Sequence, residues 1–127
     1  MATGNDLDRL RGLYDIDWTS VGPRENGLAA AAEVMAPDVK AHISPEVGER
    51  VLDGLGGFAT FVQGLEEDFS EFRYVAEEVT ETAPGEYVVI GKIQARGRLS
   101  NMPLSSPFRH EWTFRDGSAH RVEAGMG

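Results

Sequence analysis

Towards the C-terminal end of the chain, large and polar side chains take turns. Phe108, His110, Trp112 and Phe114 occupy every second position, with Arg109, Glu111 and Thr113 between them. An extended chain points successive side chains to opposite faces, so this stretch predicts a strand with one bulky face and one polar face. The bulky face is mostly apolar and carries a single titratable ring, His110. Such a face suits the inner wall of a ligand pocket, and it equally suits a plain core.

The rest of the chain is read outward from that strand. Leu7, Leu10, Tyr14 and Trp18 recur at helical spacing, with Asn5 as a cap and Asp6 and Asp8 in the first turn, which predicts a helix over about 6–17. Val21-Gly22-Pro23 breaks it. A second helix follows with Leu28, Ala31, Ala32 and Met35 as its buried stripe, and Pro37 ends it because the residue before a proline avoids the helical region. Val39, Ala41 and Ile43 alternate with Lys40, His42 and Ser44 as a short strand, and 45–50 reads as a loop. Asp53 is placed to cap a third helix whose stripe is Leu55, Phe58, Phe61, Val62, Leu65 and Phe69. That helix contains Gly54, Gly56, Gly57 and Gly64. Each costs roughly 1 kcal/mol against alanine in a helix, which close approach to another element would offset.

The period then switches to two. Strands are expected over 72–82, 87–99, 108–115 and 119–124. They are joined by the turn Ala83-Pro84-Gly85-Glu86, the loop Asn101-Met102-Pro103 and the hairpin turn Asp116-Gly117. Helices first and long strands after make an α+β pattern. A curved sheet wrapped around the helices would leave a cavity beneath the third helix. Phe58, Phe61, Phe69 and the inward face from Phe108 to Phe114 would line it.

Length and charge narrow the function classes. The 127 residues suit one domain, residues 1–127, with one core. A formal net charge of −9 repels phosphate backbones and anionic bilayers, so neither nucleic acid nor a membrane is an expected partner. There is no cysteine, hence no disulfide or thiolate chemistry. The first residues lack the basic and apolar regions of a signal peptide, and a cytoplasmic location is expected.

The order of elements and the run from Pro107 to Gly117 resemble the NTF2-like superfamily, and within it the SnoaL-like (polyketide cyclase-like) group. Ala36-Pro37-Asp38-Val39, Leu52-Asp53-Gly54 and Gly97-Arg98-Leu99-Ser100 agree with the same group. The resemblance implies a cone of curved, mostly antiparallel sheet around about three N-terminal helices. It also implies a homodimer, and a pocket that works on a small molecule without metal or cofactor. Steroid ketoisomerases of this fold use a tyrosine on the first helix, an aspartate base on the first strand and a protonated aspartate on a late strand. Tyr14 matches the first by position, and His110 lies at or next to the third. Ile43 or Ser44 stands where the base would be. Polyketide cyclases of the group use a late aspartate, and no acid follows Glu123 here.

The candidates follow from both readings. His110 on the inner face would have its charged form disfavoured by desolvation and could serve as acid, base or hydrogen-bond donor; the alternative is a neutral core histidine. Tyr14 could present its hydroxyl to the pocket or be a core tyrosine with its tip in water. Trp18, Phe58, Phe61, Phe69, Phe108, Trp112 and Phe114 are the candidate ligand-binding side chains, with Trp18 at the mouth, and each could instead be ordinary packing. His42 and His120 read as surface histidines, and the three histidines show no metal-ligand spacing. Lys92, Gln94, Arg96 and Arg98 form a basic row that could meet an anionic ligand, a partner or solvent. Gly91 and Gly97 mark bends or bulges in their strand.

Overall fold

The computed structural model describes residues 2–43 and 50–125, with side chains from Asp6 onward. Two helices come first, α1 (Ala2–Arg11) and α2 (Val21–Val34). Strands β1 (Met35–Ile43) and β2 (Arg50–Asp53) follow, then α3 (Gly54–Asp68). The chain finishes in four strands, β3 (Phe69–Ala83), β4 (Glu86–Gly97), β5 (Pro103–Arg115) and β6 (Ser118–Gly125). All six strands form one curved, open sheet in the order β2-β1-β6-β5-β4-β3. Among the described residues, only the β1–β6 pair is parallel.

The four C-terminal strands stand where alternation and turn chemistry place them. Pro84-Gly85 turns β3 into β4, with Gly85 at φ 79° as the second turn residue. Asp116 and Gly117 both have positive φ, 52° and 79°, as a two-residue hairpin turn of the I′ kind requires. The register of β3 on β4 shifts between Ala76 and Glu78, opposite Gly91. A Cβ on Gly91 would stand 1.9 Å from the carbonyl oxygen of Val75, so only glycine admits that bulge.

The N-terminal half departs from the expected pattern in four places. First, α1 begins at Ala2, before Asn5, and ends at Arg11. The amides of Gly12, Leu13 and Tyr14 each bond the carbonyl three residues back, a tighter turn, and Asp15 then takes φ 64°. The chain leaves the helix because the outer edge of β3 offers partners: Asp15 N–H donates to Tyr74 O at 2.8 Å and Trp18 N–H to Phe72 O at 3.0 Å. Burial pushes the Asp17 carboxyl up. Hydrogen bonds from Thr19, the Phe72 amide and Ser20 outweigh that and hold it below its usual range.

Second, the buried stripe of α2 is Gly27, Ala31 and Val34, while Ala32 is exposed and Met35 already belongs to β1. Pro23 sits in the first turn, where its missing N–H costs nothing. Pro37 lies inside β1, and the ladder to β6 is irregular between Met35 and Lys40, which accommodates a residue with no amide to donate. Third, Arg50–Asp53 is a strand where a loop was expected at Arg50; residues 45–49 of that loop lie outside the described residues.

Fourth, Asp53 occupies the cap position of α3 without a side-chain capping bond; its carboxylate meets Lys40 instead. Of the helix glycines, Gly54 has φ 72° and lies against the Pro37 carbonyl, and Gly57 lies against Leu52. Gly56 and Gly64 face open space, so close approach does not account for them.

The core lies on the concave face of the sheet. Leu10 and Leu13 from the N-terminal segment, Ala31 and Val34 from α2, and Tyr87, Val89, Phe114 and Ala119 from the sheet pack together at one end. A second cluster gathers Trp18, Val62, Leu65, Phe72 and Ala95. Burying each of the valine, leucine and phenylalanine side chains contributes about 1.5–3 kcal/mol. No helix among the described residues is long and apolar enough to cross a membrane.

Candidate functional site

Strand β5 sets the geometry. Its inward positions are buried, with Phe108 1%, His110 8%, Trp112 5% and Phe114 7% exposed, and Arg109, Glu111 and Thr113 are exposed on the other face. The two ends of that inward row meet different surroundings. Phe114 lies edge-on to Tyr87, ring centres 5.3 Å apart, inside the packed cluster. Phe108, His110 and Trp112 border a cavity of about 360 Å³.

The cavity lies between α3 and the sheet. Phe58, Phe61 and Leu65 bound it from α3, Phe69, Phe72 and Tyr74 from β3, and Val122, Ala124 and Gly125 from β6. The β6 neighbour of His110 is Ala124, a small side chain that also borders the cavity. Trp112, across the ladder from Tyr87, joins the cavity wall to the packed end. The polar groups on the lining are few: Arg50, Tyr74, Ser106 and His110, with the indole of Trp112. No carboxylate lines it among the described residues.

His110 is enclosed by rings. The Phe108 ring centre is 4.4 Å away, Tyr74 lies edge-on at 4.9 Å and Tyr14 is tilted at 5.8 Å. Burial disfavours the imidazolium and lowers the His110 pKa to about 3, so the ring is neutral at physiological pH. Its Nδ1 lies 2.8 Å from the Tyr14 hydroxyl, and Trp112 Nε1–H donates to that same hydroxyl at 2.9 Å. The indole can only donate, so the Tyr14 oxygen accepts from it; between Tyr14 and Nδ1 either group can be the donor, because the hydroxyl oxygen keeps a second lone pair. Nε2 forms no hydrogen bond with a described residue. Burial raises the Tyr14 pKa far above its ordinary value, which keeps the hydroxyl protonated as this chain needs.

Tyr14 therefore does not place its tip in water. It bridges Trp112 and His110 from the turn after α1, and its ring stacks on Phe108 with centres 5.9 Å apart. Trp18 does not border the main cavity, because a Gly27 without a side chain lets its ring settle against α2. A Cβ at Gly27 would stand 2.8 Å from that ring. Trp18 packs edge-on against Phe58 and borders a separate void of about 50 Å³, shared with Tyr14, His110 and Trp112. Phe114 is likewise displaced from the cavity into the packed end.

Among the polar lining residues, Tyr74, Arg50 and Ser106 escaped the sequence reading. Tyr74 falls on the inward face of β3 two positions after Phe72, a signal that the alternation of that strand already carried. Its hydroxyl forms no bond with a described residue, and burial has pushed its pKa up to about 12. Arg50 lay at the end of an expected loop, where nothing assigned it a face.

The other candidates have structural employment. His42 Nδ1 is 3.0 Å from Glu123, and His120 lies 4.0 Å from Asp38. Of the basic row, Arg96 donates to Asn101 O and Arg98 to Glu66 O and Phe69 O, bracing loop and helix end. No group of three or more histidine or acidic side chains close enough to hold a metal occurs among the described residues.

The comparisons agree with this architecture. The sequence profile of the SnoaL-like domain matches residues 24–122, more than half of the chain, and the chain belongs to that family. Similar solved structures include an NTF2-like protein of unknown function from Burkholderia pseudomallei K96243 (TM-score 0.76, 20% identity, 97% of this chain and 91% of that one). TerC, co-crystallized with polyporic acid, is another (TM-score 0.78, 22% identity, 96% and 91%). IdmH from Streptomyces antibioticus, a candidate polyketide cyclase, is a third (TM-score 0.73, 16% identity, 94% and 89%). At these identities the likeness is one of fold. A comparison with curated proteins finds no match to this sequence.

Proposed function

We propose that the domain takes a small, mostly apolar molecule into the cavity beneath α3 and acts on it by cofactor-independent acid/base chemistry of the isomerase, cyclase or hydrolase type. The observation that carries this reading is the hydrogen-bonded chain from Trp112 through Tyr14 to His110. In this reading Tyr14 donates to Nδ1, which holds the proton of the neutral imidazole on Nε2 for a ligand in the cavity. In that state His110 is a poor base and a good donor. It would polarise a substrate carbonyl and stabilise the negative charge that develops on its oxygen. Tyr14 is a positioning residue that fixes the tautomer. TerC, which shares the fold, was co-crystallized with polyporic acid, which supports a small-molecule ligand here.

Once a substrate is found by screening carbonyl compounds, His110→Gln is expected to lower turnover by about 100-fold or more, the usual effect of losing one oxyanion donor. Tyr14→Phe is expected to lower turnover less and to leave KM nearly unchanged. Unchanged turnover in His110→Gln would remove that residue from the mechanism.

A second reading, binding without turnover, is favoured by the absence of a carboxylate among the described lining residues. It predicts ligand affinity with no chemical change in the ligand. We also propose that two copies pair through the outer sheet face, where half-buried Val88 and Ile90 stand beside Glu111 and Arg109. Sedimentation of Arg109→Glu tests this, and an intact dimer of that variant would count against it.

A further inference from the structure

The cavity described above has one charged group on its lining among the described residues, and it is a cation. Arg50 opens strand β2, pairs with Ile43 across the ladder and is exposed, while Ile43 and Leu52 on either side of it also border the cavity. Its guanidinium carbon lies 5.9 Å from the centre of the Phe61 ring. That contact steadies a long side chain at the cavity rim and leaves its donors unspent. Arg50 forms no ion pair with a described residue. The chain as a whole carries a net charge of −9, so its general field repels anions. As the one charged group among the described lining residues, the Arg50 guanidinium offsets that field locally.

We propose that Arg50 is a specificity-determining residue and that the ligand is an amphipathic anion, with a flat apolar body in the cavity and a carboxylate held at the rim by the guanidinium. The proposal rests on the reading of the cavity as a small-molecule site. The planar fork of arginine matches a carboxylate in two parallel hydrogen bonds, which lysine cannot reproduce. The aromatic walls, Phe61, Phe69 and Phe108, suit a ring system. Ser106, also on the lining, offers a neutral hydroxyl and so does not compete for the charge.

The test uses a matched pair of probes, 2-naphthoate and 2-naphthamide, which share a body and differ in charge. Calorimetric titration of the full chain should give tighter binding of the carboxylate by about three- to tenfold, the range for a partly exposed ion pair with charge-assisted hydrogen bonds. Arg50→Gln should abolish that preference while leaving 2-naphthamide affinity within about twofold, which shows that the variant is folded and its cavity intact. Arg50→Lys should keep part of the preference, and 0.5 M salt should shrink it in the native chain. If the native chain binds both probes equally, or Arg50→Gln keeps the preference, the assignment of Arg50 is overturned and the cavity reading survives. If neither probe binds, both fall together.

Discussion

Two stretches of the same inner sheet face, both centred on β5, are built from similar residues and end differently. At one end Phe114 and Tyr87 share a buried cluster with Leu10 and Leu13. At the other end Phe108 and His110 border open space. Strand alternation distinguishes inside from outside in both halves. The neighbours across the ladder do not separate them: β6 sets an alanine beside the ring at both ends, Ala119 beside Phe114 and Ala124 beside His110. What distinguishes full from hollow is the element laid on top, the N-terminal segment with Leu10 and Leu13 at one end and α3, a helix that carries four glycines, at the other.

The largest effect should separate those ends outright. Phe114→Ala is expected to destabilise the domain by about 3–5 kcal/mol in denaturant titration, because the packed end cannot collapse around the lost ring. Phe61→Ala, from the half-buried cavity wall, should cost about 1 kcal/mol or less. Equal losses would mean that the two ends are packed alike. Enlarging alanines sharpens the contrast. Ala119→Leu, where the native residue is fully buried, should cost about 1–3 kcal/mol by overpacking. Ala124→Leu should change stability by less than about 1 kcal/mol and abolish binding of the naphthalene probes, because the added carbons fill the space beside His110.

His110 adds a pH dependence of its own. Its folded pKa of about 3 lies below the unfolded value near 6.5, so the unfolded chain binds the extra proton. The stability tied to its neutral form is complete above about pH 6.5 and is lost as pH falls towards 3. Relative to His110→Gln, in which the carboxylates titrate alike, the native chain should lose about 2 kcal/mol between pH 7 and pH 5. A parallel pair of pH profiles would contradict a buried neutral ring. The smallest effect belongs to the outer face: Arg109→Gln removes an exposed pair with Glu111, 3.1 Å apart, and should shift monomer stability by less than about 0.5 kcal/mol.

Much of the β half was legible because its signals are local. Pro84-Gly85, Asp116-Gly117 and the run from Phe108 to Phe114 each specify their own conformation. The N-terminal half was not, because long-range partners decide it. The helical spacing from Leu7 to Trp18 is real, yet the edge of β3 captures the amides of Asp15 and Trp18 and unwinds the second half of that helix. The same event brings Tyr14 to His110, 96 residues away in sequence, a meeting that no spacing rule encodes. His110 and Tyr14 could be named as candidates from residue type and face. Their hydrogen bond, the role of Trp112 as its donor, and the displacement of Trp18 and Phe114 from the cavity needed coordinates.

The chemistry proposed for the cavity depends most on the state of one ring. Two-bond ¹H–¹⁵N NMR correlations of the histidine side chains, followed from pH 8 to pH 4.5, read both tautomer and titration of His110 directly. The expected result is a proton fixed on Nε2 throughout, with no titration in that range in the native chain and loss of the single tautomer in Tyr14→Phe. A His110 ring that titrates near pH 6.5, or carries its proton on Nδ1, would contradict it.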